Sequence, residues 1–446
     1  MSSPDEVPRL SQTTRRVAIA VLIVLVGLSL VRTWSVGQST AGIDYYQFWV
    51  VGEAVEHDGV TNPYADEERA RMGALFLERA IRADDSPRQI AVASNRVVLE
   101  TYSTPFLYTA IHWLSSGDYE TDFARWQAVS LVAFSAGVIG FAYFLGYPWL
   151  ATLALLCAFL LRFAPFQSET QVLNVNSVQL ALLAGVFFFA RNRDQAPYQV
   201  AAGAVLACAI AFKPNTGLVA VLLLASVLID QDFRALRQRV VGLAIGTSIA
   251  LASSAWFFGG IGAWIAWLQA IAFVPPEIIT VEMGNYAPWL FIAGTSGSGY
   301  SAPLAAFLCL PILRALFSRT PKWEGDAGGG CNQQTSRETA ALIGLGCSVY
   351  LLSANLVWEH YFILTIPLLL VALLPGVLHR PETPGQWIAL RIVPGLALVG
   401  LMATPTYALV GLPHEVYFPL VQGGGTLILF VLGVHHIFSS TDETSQ

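Results

Sequence analysis

Apolar runs long enough to span a bilayer follow one another along almost the whole chain, with short polar strips between them. That pattern reads as an all-α polytopic membrane protein. Composition agrees. Of the 446 residues 55% are hydrophobic and 12% charged, where a soluble domain carries about 25% charged residues. So little polar surface rules out a water-soluble cytosolic enzyme, and the richness in Leu, Val, Ile and Phe rules out intrinsic disorder. A net charge of -6 gives no basic patch, so nucleic acid is not expected as a partner.

About twelve spans fit the pattern. They centre on residues 17–31, 126–145, 149–164, 175–190, 199–212, 217–229, 240–258, 302–317, 340–354, 362–374, 387–402 and 418–437. Several are shorter than the roughly 20 residues a perpendicular helix needs, so their ends must run into the flanks. Arg9, Arg15 and Arg16 precede the first span; the uncleaved reading is preferred to a signal peptide, because no small-residue cleavage site follows. Arg191 and Arg193, then Arg234, Arg237 and Arg239, follow the fourth and sixth spans. Arg314, Arg319, Lys322 and Arg337 follow the eighth, and Arg380 the tenth. With this count every one of these falls on a single side, which the positive-inside rule makes cytoplasmic. The chain then divides into a cytoplasmic segment 1–16, a membrane core 17–375, C-terminal spans within 376–438 and a cytoplasmic tail 439–446.

The opposite face is elaborated. Residues 33–125 form one long outer segment, with an interfacial or re-entrant helix expected over 104–114 and an amphipathic one around 72–81. A second outer segment, 259–300, carries a Trp-rich helix at 261–273, and a third covers 403–413. The cytoplasmic loops are short or low in complexity, as at 325–330. Chemistry is therefore expected on the outer face. Cysteine adds nothing to this: Cys157, Cys208, Cys309 and Cys347 lie in apolar runs and Cys331 in a Gly-rich loop, without zinc spacing or a disulfide framework.

Polar residues at the outer boundary are the candidates for that chemistry. Asp44 stands in AGIDYYQFW beside Tyr45 and Tyr46. A carboxylate partly removed from water gains basicity and can take a proton from a hydroxyl nucleophile, though a helix cap or a solvated loop acid has the same look. Lys213, in AFKPNTG, and Arg162 place cations where positive charge is scarce, either to neutralise a lipid-linked phosphate or to snorkel towards headgroups. Asn174, Asn176 and Gln171 offer amides for sugar hydroxyls or for capping. Glu359 and His360, in WEHY, suit a proton relay, a phosphate contact or a metal pair, and an aromatic belt is the plainer reading.

These residues together resemble the multispan glycosyltransferases of the GT-C type, and more narrowly glycosyltransferase family 87, the polyprenol-phosphate-mannose-dependent α-mannosyltransferases. The resemblance covers roughly residues 15–375. It rests on Asp44 after the first span, Pro63-Tyr64 in TNPYAD, and Tyr102 and Pro105 in TYSTPFLY. It also rests on Leu173-Asn174-Val175-Asn176 for a Gly-Gln-x-Asn strip, on Lys213-Pro214, and on Trp358-Glu359-His360-Tyr361 for a Trp-x-His-His. Thr104 stands where the family has a second proline, and Tyr361 where it has a second histidine.

The resemblance implies metal-independent, inverting transfer of a sugar, mannose in the family, from a polyprenyl-phosphate donor to a hydroxyl of a lipid or glycan acceptor. The transfer would take place on the extracytoplasmic face of the plasma membrane, with membrane lipids around the donor tail and no cofactor. Asp44 would be the general base. Lys213, with Arg162 or His360, would meet the leaving phosphate, and Tyr102, Asn174 and Asn176 would position the substrates, with Tyr45 and Glu359 also in contact. A divalent cation stays open, since Asp44, Glu53, Glu359 and His360 are able to converge in space. Two other classes remain: a transporter or flippase of lipid-linked sugars, against which no internal repeat is visible, and a non-catalytic assembly subunit.

Overall fold

The computed structural model describes residues 11–272, 274–275, 285–288, 300–318, 333–374, 394–398, 400–402 and 414–439. The loops expected at 325–330 and 403–413, the tail 440–446, most of the span at 387–402, and Arg9, Arg319, Lys322 and Arg380 lie outside the described residues. Among the described residues the regular structure is helical, and the sole β feature is an isolated bridge between Asn285 and Trp358.

Helix α1 (Gln12–Gln38) begins where Ser11 accepts a hydrogen bond from the Thr14 amide at 3.1 Å. Its large residues face outward: Val17, Ile23, Leu28 and Val31 are all exposed. Ser29, Thr33 and Gly37 are the buried ones, spaced four apart on a single face. Small residues inside and large apolar residues outside is the reverse of a water-soluble helix, and it suits a lipid surround. Thr33 bonds the Leu160 carbonyl of a neighbouring helix at 3.4 Å. The expected span 17–31 thus continues to Gln38, because nothing in VRTWSVGQ breaks a helix.

The segment expected to lie outside folds as α2 (Ile43–Asp58), α3 (Asp66–Arg82), α4 (Pro87–Asn95) and α5 (Pro105–His112). These helices share an aromatic core in which Tyr45, Tyr46, Trp49, Tyr108, Tyr119 and Phe123 are buried. Helix α2 is enclosed on all sides from Tyr45 to Ala54. It starts on Gly42, which has φ +61 and would place a Cβ 2.3 Å from the Phe123 ring, so only glycine fits there. The expected amphipathic stretch is α3, and the expected apolar helix is α5, opened by Thr104 as its cap.

The bundle follows as α6 (Tyr119–Phe144), α7 (Trp149–Arg162), α8 (Ala164–Val172), α9 (Asn176–Ala190), α10 (Ala196–Phe212), α11 (Gly217–Ile229) and α12 (Phe233–Phe257). It continues through α13 (Gly262–Ala272), α14 (Ser301–Phe317), α15 (Gln333–Ser353), α16 (Ile366–Leu373) and α17 (His414–Ser439), with 3-10 turns at Pro214–Thr216 and Glu359–Thr365. Helices α7 and α8 meet at a 57° bend, where Pro165 starts a new helix, so the apolar run around 149–164 is broken. Helix α10 packs directly on α12. A Cβ at Gly242 or Gly246 would come within 2.0 or 2.3 Å of a carbonyl of α10, a small-xxx-small contact. Four described helices have the length and apolarity to cross a membrane, or five with the bent pair counted as one span. Among the described residues the protein is therefore all-α, with several helices suited to a bilayer.

Candidate active site

Helices α9 and α10 run antiparallel, which brings the start of one beside the end of the other. Their two shared ends differ in chemistry, and the candidate site lies at the end holding Asn176 and Lys213. Pro214 ends α10, since it cannot donate to the helix, and leaves Lys213 extended at the C-cap. A cavity of about 960 Å³ opens here. Asp44, Arg96, Tyr102, Asn174, Lys213 and His360 are among the residues that line it.

Asn174 is the centre of the arrangement. Its Nδ2 donates to Asp44 Oδ2 at 2.7 Å, and its Oδ1 accepts from Lys213 Nζ at 3.1 Å. Lys213 also donates to Asn176 Oδ1 at 3.2 Å and sits 3.6 Å from the centre of the Tyr361 ring. Two amide oxygens and one aromatic face thus hold the ammonium, and the ammonium in turn fixes which way the Asn174 amide points. Tyr361 has a clear place here as the floor under Lys213.

Behind this row lies Glu169 of α8, fully buried. It accepts from Asn176 Nδ2 at 2.9 Å and from the Ser177 amide at 3.0 Å. It thereby serves the orphan amides at the start of α9 and supplies the anion that lets Lys213 stay in a buried setting. Asn176 is itself 0% exposed and does not line the cavity, so it acts as a link between Glu169 and Lys213. Asn174 contacts the cavity; Asn176 supports it.

Asp44 stands in the first turn of α2, outside the spans, with its side chain 18% exposed. Desolvation pushes its carboxyl above the usual 3.8, against the lowering pull of the Asn174 hydrogen bond, Arg96 and Lys213. Oδ2 is engaged by Asn174, while Oδ1 lies 3.9 Å from Arg96, beyond hydrogen-bond reach. His360 Nε2 is 3.8 Å from Asp44 Oδ2, is buried, and has no hydrogen-bond partner among the described residues. Residues 355–358, just before it, are pinned by Asn285, whose Oδ1 accepts from the Val357 amide at 2.9 Å and whose Nδ2 donates to the Asn355 carbonyl at 2.7 Å. Glu359 lines the same cavity and accepts from Gln422 at 3.1 Å. Tyr102 lines it as well, with Arg69 5.0 Å from its ring and its carbonyl accepting from Trp267 at 3.0 Å.

Two expected residues lie elsewhere. Arg162 is the last residue of α7 and is exposed, because the chain bends away immediately after it; it does not line the cavity. Tyr45 points into the aromatic core of the outer segment, stacked on Trp126 at 6.1 Å, and also misses the cavity. Glu53 does not join Asp44, Glu359 and His360 at the cavity either, being nine residues further along α2. The second cation at the site is Arg96, held by Glu100 at 2.9 Å. Nothing in SNRVVLE marks Arg96 as different from a solvated arginine. Glu169 carried no signal either, since it stands among Gln167, Ser168, Thr170 and Gln171 in a polar strip that reads as loop. No family model, curated protein or solved structure matches this chain.

Proposed function

We propose that the chain is a membrane glycosyltransferase of the GT-C type, resembling family 87, that moves a sugar from a polyprenyl-phosphate donor to an acceptor hydroxyl. On this reading the shorter apolar helices complete a set of about twelve spans. The cavity end faces the outside of the plasma membrane, and the arginine-rich end faces the cytoplasm. Mannose is the sugar the resemblance points to, on a lipid or glycan acceptor.

The observation that carries the reading is the Asp44–Asn174–Lys213 row along one cavity wall. Its two hydrogen bonds join residues 130 and 39 positions apart in sequence. A carboxylate and an ammonium held a single amide apart suit a displacement at an anomeric carbon. Asp44 takes the proton of the acceptor hydroxyl as its oxygen attacks, and the bond to the phosphate oxygen breaks with its electron pair going to the phosphate. Arg96 and Lys213 supply positive potential for that departing dianion. Asn174 holds the two halves in register. A cavity of about 960 Å³ also has room for a sugar phosphate and an acceptor.

The test is incubation of the purified chain with labelled polyprenyl-phosphate sugars and a membrane lipid extract, followed by mass analysis of the products. Transfer by the native chain and none by a folded Asp44→Asn variant supports the reading. Equal transfer by both removes Asp44 as the base, and a scaffold subunit would show no transfer at all.

A further inference from the structure

Away from the cavity, the other end of α2 gathers a second group of ligating side chains. Glu53, Glu56 and His57 lie three and four residues apart on one face of α2, and His112 closes α5 against that face. One ligand atom each from Glu53, Glu56 and His112 falls within 4.8 Å of the others. None of the four residues lines the large cavity. We infer that Glu53, Glu56 and His112, with His57 at the rim, form a binding site for a divalent transition-metal ion that ties α2 to α5.

The geometry is close to what such an ion needs. Tetrahedral ligands about 2.1 Å from an ion stand roughly 3.4 Å from each other. Here His112 Nε2 lies 3.0 Å from Glu56 Oε2, and His57 Nε2 lies 3.4 Å from Glu53 Oε2 and 3.7 Å from Glu56 Oε2. Glu53 is 6% exposed and receives a hydrogen bond from Ser115 at 3.0 Å, which leaves a buried carboxylate in want of positive charge. His112 Nδ1 is buried without a hydrogen-bond partner among the described residues, 3.9 Å from Glu53 Oε1.

The ring is also held in place. It stacks on Phe257 at 4.7 Å, and a Cβ at Gly52 would approach it to 3.1 Å. Two imidazoles and two carboxylates select a zinc-like ion over Mg²⁺ or Ca²⁺, which prefer all-oxygen shells. The role that follows is structural. Helix α2 carries Asp44 at its start, and the cap of α5, Thr104, bonds the Ala211 carbonyl two residues before Lys213. A clamp between α2 and α5 steadies both walls of the cavity without touching it.

The inference stands apart from the transferase reading, since its readout is metal content. The full chain in detergent, stripped with EDTA, is given ZnCl₂ at pH 8 and washed before elemental analysis. One zinc per chain is expected for the native protein, and an unfolding temperature that rises with zinc. His112→Gln is expected to weaken retention by about ten-fold or more. Glu56→Gln, at a half-exposed position that does not threaten the fold, is expected to lose zinc likewise and to unfold at a temperature independent of it. Substoichiometric zinc in the native chain, equal retention in the variants, or MgCl₂ retained in place of zinc would each overturn the assignment.

Discussion

Helices α9 and α10 carry a buried ionic cluster at each end, and the two clusters are built on opposite plans. At the arginine-rich end Arg239 spends every arm of its guanidinium: Nε on Gln199 at 2.6 Å, Nη1 on the Leu223 carbonyl at 3.0 Å and Nη2 on the Ala190 carbonyl at 3.1 Å. Arg193 pairs with Asp230 and lies 3.6 Å from Glu338. The void beside Arg239 is about 10 Å³, at the lower limit for one water. At the Asn176–Lys213 end the ions face about 960 Å³ of open space, with His360 Nε2 unpartnered and one Asp44 oxygen free of any close donor. Arg193 Nε is left over even there, so the contrast rests on Arg239: a guanidinium satisfied on every arm with no room beside it builds a joint, and incompletely satisfied charges facing open space have room for a ligand.

The sharpest way to break that contrast is Asp44→Asn, which keeps shape and volume and removes the base. Transfer, measured with labelled donor, is expected to fall by about 10² to 10⁴ with an unfolding temperature no lower than the native chain's. Lys213→Met comes next. It removes positive potential near the leaving phosphate and frees the Asn174 amide to turn its oxygen towards Asp44. A drop on the order of 10² or more in rate is expected. If either variant loses its fold and the other keeps full rate, the cavity end is a joint as well, and the contrast fails.

Arg239→Met probes the other end, and its effect belongs to stability. Three buried acceptors lose a charged donor, which costs on the order of 3 kcal/mol, while transfer per folded molecule stays the same. Thermal unfolding in detergent, with rates normalised to folded protein, separates the two. A lowered rate per folded molecule would mean that the ends communicate along α9 and α10.

How much of this was legible in the chain follows the same division. The expected span 217–229 coincides with α11, because Gly217 and the apolar run bound it cleanly. The expected run 149–164 hides the bend at Phe163, and with it Glu169: in an unbroken span, the residues after 164 read as loop. Asp44, Asn174 and Lys213 were readable because each is polar at the edge of an apolar block. Their connection was not, since the hydrogen bonds depend on how α2, α8 and α10 converge. Arg96 and the pairing of Glu53 with His112 come from tertiary packing of the outer segment, for which no periodicity in the chain exists. Arg162 misled for a related reason: a cation at a span end has the same pattern whether the next residue turns it into the cavity or out of it.

The smallest effect expected is one of pH, and it separates catalysis from stability at a single residue. A base has to be ionised, and desolvation raises the Asp44 pKa above 3.8, so transfer climbs with pH along an acid limb displaced upward from that of a free aspartate. Arg96 opposes that rise, and Arg96→Gln is expected to move the limb to higher pH, and to lower the plateau too, since the departing phosphate loses one of its two cations. The linkage for folding has the opposite sign. A carboxyl whose pKa is raised by folding contributes its stability below the unfolded-state value and loses it as pH rises through the folded one, so ionised Asp44 burdens the fold that uses it. Asp44→Asn removes that burden: above the limb it is expected to match or slightly exceed the native chain in unfolding temperature, with the difference fading in acid. A native chain whose stability at this residue grows with pH would mean that Asp44 belongs to a satisfied ion pair, as Arg239 belongs to its joint.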